Sequence, residues 1–270
     1  MLSTGLFSHT LRLGVLSQTS PLLVLPCALD AAVSALQPVR GESAAMIRVF
    51  CGIDDRERVG LAVFSSSVWR RASCPVSITP IGSLIPSDGA TTFTASRLLV
   101  PYLCGYEGWA LWMDGSDMLC LGDVAELWAL LDGRYAVQVV KHDYRTRYPV
   151  KFLGQANPDY PRKNWASVML MNCSHPAWGE LPEPTTGRAN RLDWLSDDLI
   201  GELPGEWNHL VGESNQCEEA EAKLLHFTLG IPEWPPYNNW FPSSDMWRRE
   251  CAAMLYFEID PRIVAGRVLG

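Results

Sequence analysis

An α/β fold with a mostly parallel central sheet flanked by helices is what three features of this sequence predict. Strand-length apolar runs alternate with helically spaced segments, acidic residues close two of those runs, and the composition is that of an ordinary globular chain. Ile47-Arg48-Val49-Phe50-Cys51-Gly52-Ile53 reads as a short buried strand, running into the polar turn Asp54-Asp55-Arg56-Glu57. From Val59 to Arg71 the apolar residues Leu61, Phe64, Val68 and Trp69 recur at helical spacing. Val76 to Ile81 is predicted as a second strand, Ser96 to Leu103 as a helix carrying Arg97, and Trp109 to Met113 as a third strand. Val124 to Leu131 then reads as helix and Tyr135 to Val140 as strand. Ligands gather at the carboxyl ends of strands in such sheets, and Asp54 and Asp114 both stand at those ends. The second half is looser. Tyr144 to Lys163 reads as a polar, aromatic loop that suits a substrate and equally a plain surface, Val168 to Met171 and Leu224 to Thr228 as strands, and Pro232 to Trp247 as a tail without regular structure.

With 270 residues the chain suits one large domain or two small ones. A net charge of -8 argues against sequence-independent nucleic-acid binding, which depends on cations that neutralise phosphates. It leaves room for a small phosphorylated ligand. Eleven tryptophans supply core, and their apolar faces also suit sugars. The eight cysteines are scattered singly without a CxxC pair, which favours free thiols in a reducing compartment, hence a cytoplasmic protein. Residues 1–45 differ from the rest in having few charges. Their apolar stretch from Pro21 to Leu36, broken by Pro26 and Asp30, falls short of the ~20 residues a bilayer span needs. Met46 is therefore the expected functional start, preceding a single domain over 46–270, with 1–45 an unstructured or non-native extension. A cleaved targeting peptide is the alternative.

The sharpest local signal is Trp112-Met113-Asp114-Gly115-Ser116-Asp117-Met118-Leu119. Two carboxylates close to one another at the mouth of a buried strand suit a hard divalent cation, which takes oxygen ligands and keeps positions open for phosphate or water. Asp-Gly between apolar runs equally suits a hairpin turn with no metal. Of the five histidines, His142, His175 and His209 read as structural.

The company of that segment resembles glycosyltransferase family 8 and its bacterial relatives. Trp109 to Trp128 is similar to that family's apolar strand, Asp-x-Asp motif, Gly-Asp and Glu-Leu helix. Val49 to Asp55 resembles its first strand, and Thr94-Ala95-Ser96-Arg97-Leu98-Leu99-Val100-Pro101 its Arg-Leu-x-x-Pro helix. Asn164 to Asn172 resembles its Asn-Ser-Gly-Val-Met-Leu-x-Asn segment, and Ser196-Asp197-Asp198-Leu199 with Leu203 to Asn208 its Asp-Gln and Leu-Pro-x-x-x-Asn elements. Leu225-His226-Phe227-Thr228-Leu229-Gly230 looks like its late His-Phe-x-Gly segment.

The resemblance implies a GT-A, Rossmann-like nucleotide-sugar-binding fold and transfer of a sugar from a nucleotide donor, UDP-linked, to an acceptor hydroxyl with retention. It assigns Mn²⁺ (or Mg²⁺) to Asp114, Asp117 and His226, the nucleoside to Asp54 and Asp55, and donor contacts to Arg97 and Gly230. Asp197 and Asp198 fall near the sugar as the catalytic pair. A glycan or a lipid-linked acceptor at the inner membrane face fits the same reading. Departures matter. The acidic motif is one residue longer, so Asp114 reaches the site only if the loop bulges. The lysine expected after the late histidine segment is replaced by Ile231-Pro232-Glu233-Trp234, leaving Arg97, Lys141 or another base to hold the diphosphate. Two rivals follow: a GT-A protein that binds a nucleotide sugar without turnover, and a metal-dependent nucleotidyltransferase or phosphohydrolase.

Overall fold

A computed structural model describes residues 46–87 and 91–255 of the chain. The expectation for residues 1–45 lies outside the described residues. In chain order the elements are β1 (Ile47–Gly52), α1 (Arg58–Arg71), β2 (Val76–Ile81), α2 (Val100–Leu103), β3 (Trp109–Met113), β4 (Met118–Cys120), α3 (Val124–Trp128) and β5 (Val137–Val139). They continue as β6 (Val150–Lys151), β7 (Gln155–Ala156), β8 (Val168–Asn172), α4 (Thr186–Arg191), β9 (Ile200–Glu202), β10 (His209–Leu210), β11 (Leu224–His226) and α5 (Ser243–Leu255).

Period-two alternation builds the centre. Ala110 and Trp112 of β3 face one core with Met169 and Met171 of β8. Leu111 and Met113 face the other with Val168 and Leu170. Both faces of these strands are therefore buried, which is why they read as continuous apolar runs. The main sheet has six strands in the order β2-β1-β3-β8-β5-β9. β8 pairs antiparallel with both β3 and β5 while the other neighbours pair in parallel, so the sheet is mixed, with one strand reversed. A smaller sheet, β10-β11-β4, carries the last part of the site, and β6 and β7 form a separate ribbon.

The turn Asp114-Gly115-Ser116-Asp117 does not make a hairpin. β3 pairs with β1 and β8, whereas β4 pairs with β11, so the four residues carry the chain from one sheet into the other. The tail also differs from expectation, because Ser243 opens a helix that continues to Leu255. Trp247, Cys251 and Met254 recur at helical spacing and pack on one cluster, a signal masked by the Pro- and Trp-rich residues before it. Glu250, almost fully buried, accepts from Arg70 and Arg71 at 3.1 Å each and fastens α5 to α1. The described cysteines are all free thiols, and burial pushes Cys51 and Cys120 up to about 12.

Helix α1 is the bed on which the acidic turn lies. Ser67 Oγ accepts from Cys120 N at 3.0 Å, and Ser116 Oγ donates to Glu57 Oε2 at 3.0 Å just before the helix begins. The approach needs a glycine, since a Cβ on Gly60 would stand 1.9 Å from the Ser116 carbonyl oxygen. Backbone cannot give way as a flexible side chain does. Gly60→Ala is expected to destabilise the protein by at least about 2 kcal/mol, read as a lowered urea midpoint at unchanged slope. An unaltered midpoint would mean that α1 is not seated against Ser116.

Candidate active site

The carboxyl ends of β1, β3 and β5 share one edge of the sheet with the amino end of β8. A cavity of about 670 Å³ opens there, lined among others by Arg97, Asp114, Asp117, Lys151, Ser167 and His226. The acidic loop reaches it through a tight turn. Gly115 takes φ +78°, Ser116 N donates to Asp114 O and Met118 N to Gly115 O, each at 2.9 Å. A Cβ at Gly115 would lie 2.7 Å from that of Cys51, so the left-handed backbone and the close packing both call for glycine. This turn is the bulge that brings Asp114 and Asp117 to one cavity despite the additional residue.

His226 arrives from far along the chain. The antiparallel register sets His226 opposite Met118, and Phe227 N donates to Asp117 O at 2.8 Å. His226 Nε2 then stands 3.2 Å from Asp117 Oδ2. Its other nitrogen, Nδ1, is 3.0 Å from Asn208 Oδ1. The orientation of the Asn208 amide follows from its donors, which go to Ser167 Oγ at 2.8 Å and Asn164 O at 3.2 Å. Nδ1 therefore carries a proton, and Nε2 faces a carboxylate. Asp117 Oδ1 is buried without a hydrogen-bond partner. An orphaned carboxylate oxygen beside imidazole Nε2 suits a bound cation, whereas a ring protonated on both nitrogens would pair with the carboxylate directly.

Asp114 is engaged differently. Its Oδ1 lies 3.0 Å from Arg97 Nη2 and accepts from Trp112 Nε1 at 3.1 Å. Burial pushes its carboxyl above the usual range, with Arg97 opposing and Asp117 adding to the rise. Among the described residues no three His, Cys, Asp or Glu groups already stand together as a metal shell. Asp117 and His226 form the close pair, and Asp114 lies on the same wall held by arginine. Arg97 is itself nearly buried and spends its other donors on Thr94 O (3.0 Å) and Ala166 O (2.6 Å). Its guanidinium thus positions the Asp114 carboxylate and the start of β8.

The remaining predicted residues do not line the cavity among the described residues. Asp54 is buried behind it: Arg56 grips its carboxylate with two contacts of 2.8 Å, which holds it below the ordinary range. Asp55 is exposed and pairs with Arg58 at 2.8 Å. Gly230 is a packing residue, since a Cβ there would stand 2.3 Å from the Tyr237 ring. Asp197 and Asp198, expected near the sugar, are not on the lining: they precede β9, which runs parallel to β5, and so stand at the amino end of that strand. Both are exposed, and Asp197 is occupied by Arg162 at 2.7 Å.

Sequence reasoning missed several residues on or beside the cavity. Glu57 is fully buried next to the acidic turn, where burial and then the Asp117 charge push its carboxyl well up, favouring the protonated acid. Asn190 and Arg191 come from α4, which was not anticipated; the Thr185 side chain accepting from Arg188 N was the available helix-start signal. Lys151 sits on the ribbon strand β6, inside the stretch that reads as a substrate or surface loop and gives no sign of which residue faces the cavity.

A mixed six-stranded sheet between helices, with a cavity at its carboxyl edge, defines the GT-A glycosyltransferase fold. Solved structures agree. The galactosyltransferase LgtC, determined with donor and acceptor sugar analogs, aligns at a TM-score of 0.52 with 13% identity over 80% of this chain and 99% of its own. The glycosyltransferase GlyE of Streptococcus pneumoniae gives 0.53 at 15% identity over 83% of this chain and 63% of its own. The bifunctional enzyme WbbM gives 0.55 at 16% identity over 80% of this chain, which spans about half, 51%, of that protein. These likenesses are of fold. No family model matches the sequence. Kinship comes from Protein CDI of Arabidopsis thaliana, 36% identical over 225 residues that make up 75% of this chain and 85% of the relative, and the chain belongs to its family.

One group beside the site gives it a pH signature. His142 is buried, its Nε2 has no hydrogen-bond partner, and burial first, then His226 and His209, lowers it from 6.5 to about 3. Because the folded value lies below the unfolded one, this stability is present above pH 6.5 and lost as pH falls toward 3. Between pH 6.5 and 5 the loss from this group alone approaches about 2 kcal/mol, at about 1.4 kcal/mol per unit. His142→Phe is expected to flatten that part of the stability–pH curve in urea titrations. A variant curve parallel to the wild type across this window would show that His142 takes up its proton while folded.

Proposed function

We propose that the protein is a metal-dependent glycosyltransferase that moves a sugar from a UDP-linked donor to an acceptor hydroxyl with retention at the anomeric carbon. The observation that carries this reading is the Asp117–His226 pair, with its orphaned Asp117 oxygen and facing imidazole Nε2, in a cavity at the carboxyl edge of a GT-A sheet. Those two residues would hold the cation, Mn²⁺ or Mg²⁺, with Asp114 as the further carboxylate on the same wall. A divalent cation there supplies Lewis-acid neutralisation of the departing diphosphate.

The chain's own residues do the rest. Asn208 holds the His226 ring in the tautomer that offers Nε2, with Ser167 and Asn164 holding Asn208 in turn. Arg97 fixes Asp114 and adds positive charge to the wall, an electrostatic contribution that needs no rearrangement as charge develops. The segment from Gln155 to Tyr160 forms another wall and limits water around the reacting centre. A glycan or a lipid-linked hydroxyl serves as acceptor. Among the described residues no helix is long and apolar enough to cross a membrane. The free, scattered thiols fit a reducing, cytoplasmic setting.

Thermal unfolding over a panel of nucleotide sugars, with and without Mn²⁺, is the decisive measurement. A ligand bound only by the folded state raises the midpoint by mass action. The expected result is a Mn²⁺-dependent rise with one UDP-sugar, abolished by Asp117→Ala and by His226→Ala and reduced by Asn208→Ala. Release of UDP on adding acceptor then establishes transfer, while binding without UDP release defines a protein that holds the donor only. Pyrophosphate or phosphate as product, or no shift with any nucleotide, would remove the transferase reading.

A further inference from the structure

The cavity contains a cation that the fold does not use. Lys151 lines it, yet among the described residues its ammonium makes no hydrogen bond and no ion pair. The acids on the facing wall act on it only through space: Asp117 and then Asp114 favour its charge, while burial, the larger effect, opposes it. Lysines on ribbons ordinarily extend into solvent, their stems lying on apolar surface. This one is held from doing so by its backbone. The turn after it runs through φ +50° at Phe152, +60° at Leu153 and +109° at Gly154, two of them non-glycine residues in the left-handed region. Strain of this kind persists only where the surroundings over-determine it.

The surroundings do so here. Phe152 N donates to Leu229 O at 2.7 Å, and Leu153 N to Tyr237 Oη at 3.2 Å. The Phe152 ring meets Trp234 edge-on with centroids 4.9 Å apart, and the Arg56 guanidinium carbon lies 4.3 Å from the centroid of the same ring. The ribbon is thus clamped to the segment following His226, which sets Lys151 beside Thr228 on the cavity lining. Of the other lining cations, Arg97 is committed to Asp114 and backbone carbonyls, and Arg191 is exposed on α4.

We propose that Lys151 is the diphosphate-binding residue of this cavity, taking the phosphate oxygens opposite the Asp117–His226 pair. A compact ammonium with rotatable donors suits a phosphate as a point charge, and an arriving anion removes the cost of holding that charge half-buried and unpartnered. The proposal rests on the nucleotide-sugar reading for its ligand, but it concerns a recognition step that can be tested apart from turnover.

The test is calorimetric titration of the full chain with pyrophosphate, UDP, GDP and uridine, Mg²⁺ present throughout, on wild type, Lys151→Met, Lys151→Arg and Arg191→Met. Lys151→Met is expected to weaken pyrophosphate and UDP by about tenfold to a hundredfold, the range for hydrogen bonds to charged groups, and to leave uridine unchanged. Lys151→Arg should recover most of the loss, and Arg191→Met should change little. The melting temperature of Lys151→Met should not fall, because an unpartnered half-buried charge is removed; a fall would mark a structural lysine and overturn the proposal. UDP binding equal to wild type in Lys151→Met overturns it while leaving the transferase reading intact. Lysine-dependent binding of pyrophosphate with no affinity for either nucleotide keeps the proposal and removes the nucleotide-sugar reading. Failure of the wild type to bind any of the phosphates overturns both.

Discussion

The passage of the chain from β3 into β4 is the constraint on which the site depends. Four residues, Asp114 to Asp117, must leave the six-stranded sheet and join the three-stranded one without a hairpin to guide them. Backbone bonds hold both ends: Asp114 N donates to Ser167 O at 2.9 Å, and Asp117 O accepts from Phe227 N at 2.8 Å. The first ties the loop to the start of β8, the second to the end of β11. Every group of the Asp117–His226–Asn208–Ser167 chain is thereby placed by backbone, with side-chain rotamers adding only the last contacts.

Around that crossing the structure arranges charge unevenly. Among the described residues the two buried basic side chains have chain partners: Arg97 holds Asp114, and Lys163 donates to Asn157 Oδ1 at 2.8 Å and Pro158 O at 2.6 Å. Lys163 is lowered to about 8, chiefly by burial, yet its contacts make it a brace for the loop that walls the cavity. The acids are less settled, with Asp117 Oδ1 and Glu57 Oε1 both buried and unbonded. Buried polar atoms left open are costly, and Asp117 Oδ1 is one that lies on the cavity lining. Under the proposed function, a cation on Asp117 and a phosphate on Lys151 would be complementary parts of one metal–diphosphate ligand.

Much of the fold was legible because burial on both faces leaves an apolar run that any reading detects, as in Trp109–Met113 and Val168–Asn172. The reversal of β8 was not legible, since strand direction leaves no mark on composition. Helix α5 was hidden behind its own N-terminal proline- and tryptophan-rich approach, and α4 is too short, at six residues, for periodicity to register. In the site, order along the chain points to Arg97, Asp114, Asp117 and His226, which the structure places on one cavity. It points also to Asp197 and Asp198, which stand before β9 and off that lining, because two acids before a strand look the same whichever edge that strand begins from.

What the sequence by itself determined was the class of fold and the identity of the acidic turn, because alternation, strand-end carboxylates and a glycine between them are local properties of the chain. Only the tertiary structure decided which of those groups meet. Pairing β4 with β11 brings His226 to Asp117 across 109 residues, the β6–β7 ribbon brings Lys151 to the same space, and Arg97 turns toward Asp114. Register between distant strands and the choice of partner for a buried charge are set by packing and desolvation summed over the whole domain, and no short stretch of residues contains them.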